Sequence, residues 1–268
     1  MTDTEHGSDA IDTSKPHPAR MYDWYLGGKD SYPVDWEAAA QVKSFFPDVD
    51  KLARVNRRFM HHASRLLAER GLRQFLDVGT GIPTEPNLHQ IVQAVSPDAS
   101  VVYVDYDPIV LRHAEALLRS TPEGRTTYLQ ADVREPQKII EGAREVLDFD
   151  RPIVLSLIAL LHFLSDEHYQ PQGLVRQLLD PLPLGSYLML SHATGDFDPE
   201  AWQRIVELHH RNGMYGQVRS YQQFCEFFTG LDLIEPGVTL ATDWAPGIVG
   251  DDATDAPLPL YVGVARKG

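Results

Sequence analysis

The amino-acid sequence predicts a doubly wound α/β fold, in which helices cover both faces of a mostly parallel sheet. After Gly71, five short apolar runs of strand length alternate with segments of helical periodicity. Parallel neighbours in a sheet need long crossover connections, and the helical segments have that length. The chain of 268 residues is 43% hydrophobic and 23% charged, which is ordinary for a globular protein with one such domain.

The first 71 residues stand apart from this alternation. Residues 1–19 carry charges, Ser, Thr, Gly and Pro but almost no large apolar side chain, which is typical of a flexible tail. Residues 20–33 are rich in aromatic residues around a Gly27-Gly28 pair. Asp50 can cap a long amphipathic helix that ends at Gly71. We therefore expect a tail, an N-terminal cap segment with helices over residues 20–71, and an α/β domain over residues 72–268.

The elements of the α/β domain are predicted from their apolar periodicity. The strand candidates are residues 75–78, 101–104, 127–129, 153–158 and 187–190, and the helix candidates between them are residues 88–95, 109–119, 136–146 and 173–179. Helix signals at 199–211 and 221–228 then lead to two last strand candidates, residues 231–240 and 260–265. The polar, proline-containing loop between these two predicts an antiparallel hairpin that closes one edge of the sheet.

Charge and cysteine content exclude several classes of protein. Asp and Glu number 38 against 24 Lys and Arg, giving a formal charge of −14, which has the wrong sign for binding nucleic acid or anionic lipid. The one cysteine, Cys225, cannot form an internal disulfide. The sequence shows neither a signal peptide nor an apolar run of about 18 residues. We expect a cytoplasmic protein with no nucleic-acid or membrane partner.

A glycine turn after the first strand is the main candidate for a ligand site. Residues 75–81 read F-L-D-V-G-T-G, and ligands of open α/β sheets bind beyond the carboxyl ends of the strands. The third glycine of a dinucleotide fingerprint is replaced by Thr84. Asp77, two residues before the first glycine, would repel a pyrophosphate and attract an ammonium group. S-adenosylmethionine (SAM) carries an ammonium and a sulfonium, so the turn favours SAM over NAD.

Acids also follow the second and third strand candidates. Asp105 lies 26 residues past Gly79, where a carboxylate can accept both ribose hydroxyls of an adenosine, whether from SAM or from NAD. Asp132 and Val133 could flank the amine and N1 of an adenine. Each acid alone could be an ordinary turn or helix cap, but three acids at successive strand ends favour a shared binding site.

Longer motifs resemble a known family. D-V-G-T-G at 77–81, the acid Asp105 and A-D-V at 131–133 resemble class I SAM-dependent methyltransferases. The similarity is greater to the actinobacterial S-adenosyl methyltransferase family, first catalogued as domain of unknown function 574, and covers about residues 18–266. It is carried by the glycine turn and by R-M-Y-D-W-Y-L-G-G-K-D at 20–30, R-V-N-R-R-F-M at 54–60, Y-V-D-Y-D-P at 103–108 and G-S-Y-L-M-L-S-H at 185–192. It implies a Rossmann-like methyltransferase sheet and SAM binding within residues 72–268, with no settled methyl acceptor.

The resemblance assigns candidate residues to the cofactor. Asp77 and the two glycines of the turn would hold the methionine part, Asp105 the ribose, and Asp132 with Val133 the adenine, while the N-terminal signature would close over the cofactor. The full set of candidate cofactor residues is Tyr22, Gly27, Gly28, Asp77, Gly79, Thr80, Gly81, Asp105, Tyr106, Asp107, Asp132, Val133 and Leu157.

Candidate catalytic residues lie in L-H-F-L-S-D-E-H, after the fourth strand. This run is similar to small-molecule O-methyltransferases, which implies His168 as a base with His162 nearer the cofactor. Both could instead have structural roles, because methyl transfer mainly needs alignment and exclusion of water. No metal is expected, since H-E-x-x-H and paired C-x-x-C motifs are absent from the sequence.

The predicted function is SAM-dependent methyl transfer to a small-molecule acceptor, with S-adenosylhomocysteine (SAH) as the product. An Asn/Asp-Pro-Pro-aromatic signature, similar to that of base-amino methyltransferases, is missing after the fourth strand. Two alternatives stay open at this point. One is a non-catalytic SAM-binding regulatory module, because no residue stands out as a catalyst. The other is an NAD-dependent oxidoreductase, which Asp77 and the missing third glycine disfavour.

Overall fold

The computed structural model describes residues 13–110 and 119–268, and a twisted sheet lies at its centre. The strands are β1 (Gln74–Val78), β2 (Ser100–Asp105), β3 (Arg125–Gln130), β4 (Val154–Leu157), β5 (Tyr187–Ala193), β6 (Asp232–Leu233), β7 (Thr239–Leu240) and β8 (Leu260–Arg266). Their order is β3-β2-β1-β4-β5-β8-β6, and β7 also pairs with β8. The first five strands are parallel, and β8 is antiparallel to its neighbours. The predicted α/β fold with a mostly parallel sheet is therefore confirmed.

Helices cover both faces of the sheet. They are α1 (Pro18–Tyr25), α2 (Pro33–Phe45), α3 (Val49–Glu69), α4 (Leu88–Gln93), α5 (Pro136–Ala143), α6 (Asp166–Tyr169), α7 (Pro171–Leu179), α8 (Pro199–Arg211) and α9 (Tyr221–Cys225), with single 3₁₀ turns at Leu161–Phe163, Glu226–Phe228 and Ala241–Asp243. Residues 108–110 are also helical, and most of the helix predicted at 109–119 lies outside the described residues. Of the helices in the described part, none combines the length and apolar character needed to cross a membrane.

Alternating side chains of the strands form two hydrophobic cores. On β1, Phe75 joins the core under α2 and α3, whereas Leu76 joins the core under α5 and α7. The long helix α3 contributes residues at three- and four-residue steps, including Val55 and Phe59, both fully buried. Residues 20–71 thus share a core with one face of the sheet. The division of the chain into a cap segment (residues 20–71) and a SAM-binding domain (residues 72–268) stays a prediction.

The C-terminal edge of the sheet differs in detail from the predicted hairpin. Strand β8 is inserted between β5 and β6, so that only the short β6 and β7 lie outside it. The strand predicted at 231–240 is two separate pairs of residues. The sequence Pro236-Gly237 interrupts it, because proline has no N–H to donate to a ladder and the Gly237 N–H turns back to the Ile234 carbonyl at 2.7 Å.

The N-terminal segment is ordered earlier than the sequence predicts. Pro18 and Ala19, which were expected in the tail, form the first turn of α1. Arg20 is buried, and its Nε donates to Asp35 Oδ1 at 3.1 Å. The other oxygen of Asp35 accepts from the Tyr32 N–H at 2.9 Å, which fixes the start of α2 against α1. A buried ion pair therefore joins the buried Met21 in attaching this segment to the fold.

Candidate functional site

A cavity of about 240 Å³ opens at the carboxyl ends of β1 and β4. β1 pairs with both β2 and β4, so the strand order reverses here, as at the ligand crevice of other open α/β sheets. The lining comes from α1, α3, the segments after the first four strands, and residues 213–215. Nine of the predicted cofactor residues lie in this lining: Tyr22, Asp77, Gly79, Thr80, Gly81, Asp105, Tyr106, Asp132 and Val133.

Asp77 is held rigidly at the end of β1. Its Oδ1 accepts a hydrogen bond from Ser156 Oγ of β4 at 2.6 Å, and its Oδ2 accepts one from Thr80 Oγ1 at 2.8 Å. Burial raises the pKa of Asp77, although the two hydroxyl donors and the nearby Arg57 favour the ionised form. The fixed carboxylate keeps free lone pairs and can accept further hydrogen bonds from a cation.

Glycine is required in the turn that follows. Gly79 and Gly81 have φ values of +77° and +67°, in the left-handed region. A Cβ on Gly79 would lie 2.6 Å from Leu160 Cδ1, so a side chain would collide with the loop after β4. The turn is fastened to β2, because the Gly79 N–H donates to the Val104 carbonyl at 2.8 Å. A ligand can therefore approach the backbone of this turn closely.

Asp105 connects the ends of β1 and β2. Its Oδ2 accepts from the Gly81 N–H at 2.8 Å and its Oδ1 from the Asp107 N–H at 3.1 Å. Burial raises the pKa of Asp105 to about 6, and these backbone donors only partly offset it. Tyr106 follows it, half exposed, with its side chain at the cavity.

Asp132 lies at the end of β3 and is paired with Arg134. Its Oδ1 accepts from the Arg134 backbone N–H at 2.8 Å, and the guanidinium reaches both carboxylate oxygens. Burial opposes ionisation of Asp132, but these hydrogen bonds outweigh it and lower the pKa. The Arg134 guanidinium also lies 5.4 Å from the ring centre of Tyr169, which links this corner to the far end of the cavity.

Residues 17–26 form an N-terminal strap over the glycine turn. His17 Nε2 lies 2.5 Å from Tyr106 Oη, and its Nδ1 lies 3.2 Å from Asp107 Oδ2. Tyr22 Oη donates to the Ala53 carbonyl at 3.0 Å and accepts from Asn56 Nδ2 at 2.8 Å. The strap is therefore attached both to the end of β2 and to α3.

Four predicted cofactor residues lie outside the lining, which corrects their placement. Gly27 and Gly28 turn around the buried Asp23, whose carbonyl accepts from the Gly28 N–H at 2.9 Å. Asp107 accepts from the Ile109 N–H at 2.9 Å, as a cap at the start of the helical residues 108–110. Leu157 is fully buried in the core.

The two candidate catalytic histidines also lie outside the lining. The ring of His162 lies against Phe163 and His192, and burial lowers its pKa to about 3. His168 is exposed, with its Nδ1 2.9 Å from Ser165 Oγ and its ring stacked on Tyr215. Each ring lies against a lining residue, His162 against Phe163 and His168 against Tyr215, and their catalytic roles stay a prediction.

Part of the cavity lining is apolar and aromatic, and no local sequence pattern predicts it; we call this part the apolar end. Its walls are Phe163, Leu164 and Tyr169 from the loop after β4, with Met214 and Tyr215 from the segment after α8. No local pattern marks these residues as neighbours, since about 50 residues separate the two segments. Trp244 does not line this cavity but packs edge-on against Phe59 in the core.

Arg219 joins these two segments. It is almost fully buried, and its guanidinium donates to the Leu164 carbonyl at 2.8 Å, to Asp166 Oδ1 at 2.7 Å and to His192 Nε2 at 2.7 Å. Burial lowers the pKa of the neighbouring His192. The charge of the guanidinium, which is always ionised, lowers it further, so that this ring stays neutral. The buried Arg219 thus holds the two segments of the apolar end together.

Three residues that line the cavity, His17, Asn56 and Arg57, were not predicted from the sequence. Asn56 and Arg57 lie within the R-V-N-R-R-F-M motif, which resembles the family but to which the resemblance assigned no function. Within residues 13–110 and 119–268, no group of three or more His, Cys, Asp or Glu side chains is arranged to hold a metal ion.

Comparisons with known proteins agree on a family. A family model described as S-adenosyl methyltransferase matches residues 4–268. A crystal structure of a domain-of-unknown-function-574 protein from Streptomyces avermitilis MA-4680 is 45% identical, covers 97% of this chain and 100% of its own, and superposes with a TM-score of 0.93. A candidate methyltransferase from Thermobifida fusca YX is 35% identical over 98% of this chain and 99% of its own, with a TM-score of 0.86.

A more distant likeness concerns the fold alone. The plantazolicin methyltransferase BpumL, solved with SAH, is 13% identical over 93% of this chain and 95% of its own, with a TM-score of 0.52. No sequence among the curated proteins matches this chain.

Proposed function

Because this chain belongs to the S-adenosyl methyltransferase family and is a SAM-dependent methyltransferase, we propose that its methyl acceptor is a small, largely apolar molecule. The observation that carries the proposal is the mixed lining of one cavity, which combines acids and glycines with a set of aromatic and aliphatic side chains. Family membership also decides against the alternative of an NAD-dependent oxidoreductase.

The polar end fits SAM. Bound SAM supplies an electrophilic methyl group on a sulfonium, next to an α-ammonium. The Asp77 carboxylate is placed to accept from that ammonium, and Gly79 and Gly81 allow close approach of the methionine part. Asp105, with both oxygens held by backbone N–H groups and lone pairs to spare, suits the ribose diol. Asp132 and Val133 suit the adenine edge.

The apolar end suits a small acceptor. The acceptor and the cofactor would share one cavity, in which the acceptor would contact mainly aromatic and aliphatic side chains. Aromatic walls such as Phe163 and Tyr169 bury apolar surface and exclude water from the reacting centre.

The residues at this end act by alignment. Among the described residues there, the polar side-chain atoms are the hydroxyls of Tyr169 and Tyr215, which can orient an acceptor by hydrogen bonds. Methyl transfer from a sulfonium is an in-line displacement, so a held acceptor and a dry cavity supply most of what the reaction requires. His162 and His168 lie outside the lining, so the proposed mechanism does not use them as bases.

The test is methyl transfer from SAM with a labelled methyl group to a panel of small molecules graded in size and polarity. We expect SAH and a labelled small product with at least one apolar acceptor, and a turnover at least tenfold lower in Tyr215→Ala, with SAH affinity unchanged. Tyr221→Ala, which replaces an equally exposed tyrosine outside the cavity lining, is the matched control. Label found only in macromolecular fractions would contradict a small acceptor.

A further inference from the structure

We propose that Asn56 and Arg57, adjacent on α3, recognise the amino-acid end of the cofactor, with Arg57 on its carboxylate and Asn56 on its ammonium. The inference rests on the SAM dependence of the chain and goes beyond the strand-end residues assigned above. It assigns a function to the R-V-N-R-R-F-M segment, for which the sequence alone indicated none.

Arg57 brings an uncompensated positive charge to the cavity. Its guanidinium donates to the carbonyls of Thr84 and Pro86, the latter at 2.9 Å, and in the described part of the chain no carboxylate lies within ion-pair distance of it. The neighbouring Arg54 and Arg58 differ, because both pair with Asp252 at 2.6 Å. Of these three neighbouring arginines, Arg57 is thus left for a ligand anion.

The helix geometry explains the difference. Arg54 and Arg58 are four residues apart and share one face of α3, whereas Arg57 points about 100° away from Arg58. That rotation brings Arg57 into the cavity lining and leaves Arg58 on the segment around Asp252. The two arginines therefore serve as test residue and control within one turn of helix.

Arg57 lines the same cavity as Asp77, the carboxylate that we assign to the ammonium. Burial raises the pKa of Asp77, and the nearby charge of Arg57 partly offsets this rise. A zwitterion needs an anion-binding and a cation-binding group a few ångströms apart, and the cavity holds both. An amino-acid headgroup satisfies the two charges together.

Asn56 has an unused acceptor beside this pair. The residue is fully buried, its Nδ2 donates to Tyr22 Oη at 2.8 Å, and its Oδ1 has no hydrogen-bond partner among the described residues. Buried carbonyl oxygens are rarely left without a donor. Since Asn56 lines the cavity, an ammonium N–H is the donor that the proposal supplies.

The experiment compares two ligands by calorimetry. SAH carries the amino acid, and 5′-methylthioadenosine carries the same adenosine and thioether without it. We expect Arg57→Gln to weaken SAH at least tenfold and to change methylthioadenosine less than twofold. Asn56→Ser should show the same selectivity to a smaller extent, and Arg58→Gln should leave both affinities within twofold. Decarboxylated SAM separates the two residues, because it should lose sensitivity to Arg57→Gln and keep sensitivity to Asn56→Ser.

Equal losses for both ligands in Arg57→Gln, or no loss for SAH, would overturn the proposal. If Arg57→Gln does not fold, as judged by circular dichroism, Arg57→Lys keeps the charge and should bind SAH more weakly than the parent chain but still discriminate it from methylthioadenosine. Failure of the unaltered chain to bind SAH at all would instead count against the cofactor site as a whole.

Discussion

Ser156 Oγ donates to Asp77 Oδ1 over 2.6 Å, and the two residues are register partners on the parallel strands β4 and β1. The bond crosses the point where the strand order reverses, so the acid that sets the polarity of the cavity is fixed by the neighbouring strand. A serine in an otherwise apolar strand is fully buried for this purpose. Its hydroxyl favours the ionised form of a carboxyl whose pKa burial raises.

Replacing Asp77 by Asn should weaken SAH binding by about 1.5–3 kcal/mol, the scale of a charge-assisted hydrogen bond, or roughly ten- to a hundredfold. The amide keeps the shape of the side chain but no longer attracts the ammonium. Calorimetry measures the loss, and a thermal melt checks that the fold persists. Ser156→Ala is the matched control, because it removes one donor and leaves the carboxylate, so its loss should be smaller. A folded Asp77→Asn variant with unchanged affinity would remove the ammonium assignment.

SAH affinity should fall as the pH is lowered from 7.5 to 5, because the pKa of Asp105 is raised to about 6. Below that value the carboxyl becomes protonated and accepts the ribose diol less well. At pH 5 only about a tenth of the groups are ionised, so the expected loss is about tenfold. Calorimetry at several pH values tests this, and Asp105→Asn should give a weak but flatter profile. The same slope in both proteins would assign the titration to another group.

Deleting residues 1–32 should weaken SAH binding at least tenfold, or about 1.4 kcal/mol, while the α/β core stays folded. The deletion removes the strap, including Tyr22 and the His17 contact with Tyr106. Deleting only residues 1–12 should leave affinity intact, because that sequence has almost no large apolar side chain. A deletion of residues 1–18 would not serve as this control, because His17 and Pro18 line the cavity.

Circular dichroism decides whether the longer deletion is informative. If it unfolds the chain, His17→Ala tests the same strap with one side chain, and SAH affinity should fall severalfold. Full affinity in both variants would show that the strap plays no part in holding the cofactor.

The folded state should lose stability as the pH falls below about 6.5. Burial lowers the pKa of His162 to about 3 and that of His209 to about 4, so both are neutral in the fold and protonate first in the unfolded chain. Each such histidine costs up to about 1.4 kcal/mol per pH unit between 6.5 and its folded-state pKa. The stability associated with keeping these two histidines neutral is therefore fully present above about pH 6.5. It is lost progressively as the pH falls toward their folded-state pKa values.

Thermal melts at pH 7.5, 6 and 5 measure this loss. His209→Asn should lower the Tm at pH 7.5 but make it less dependent on pH, because one buried titrating group is gone. His62, an exposed neighbour of a partly buried histidine on α3, gives the control variant His62→Asn, whose pH dependence should match that of the parent chain. Identical profiles in all three proteins would assign the acid sensitivity elsewhere.

The parallel strands and the acids at their ends were predictable, because buried runs and the turns after them are local patterns. Asp77 lies near the end of such a run, Asp105 and Asp132 come at or after the ends of theirs, and all three line one cavity. On α1 and α3 only Tyr22 was predicted, from the family resemblance, because nothing local relates His17 or Arg57 to a turn 20 or more residues away. Gly27-Gly28 carried a local turn signal, and the turn is there, but it surrounds Asp23.

The single strand predicted at 231–240 is a case in which a local pattern predicted the wrong element. Its apolar pattern is continuous enough to suggest one element, yet Pro236 and Gly237 divide it into the two short pairings of β6 and β7. Here the local breaker residues outweigh the periodicity. The helix predicted at 109–119 lies mostly outside the described residues, so its boundaries stay a prediction.

The buried guanidinium of Arg219 has a consequence for how this enzyme could diverge. The loop after β4 and the segment after α8 form the acceptor end, and Gln217 adds to the fastening by donating its N–H to the His162 carbonyl at 2.8 Å. Arg219 belongs to the second of these segments, whereas Asp166 and the Leu164 carbonyl, which accept from it, belong to the first. The two loops should therefore be grafted as a pair, because exchanging one alone changes the surroundings of a buried charge. We expect a chimera that carries residues 161–169 together with 213–219 to move substrate preference as one block, while the strand ends remain untouched.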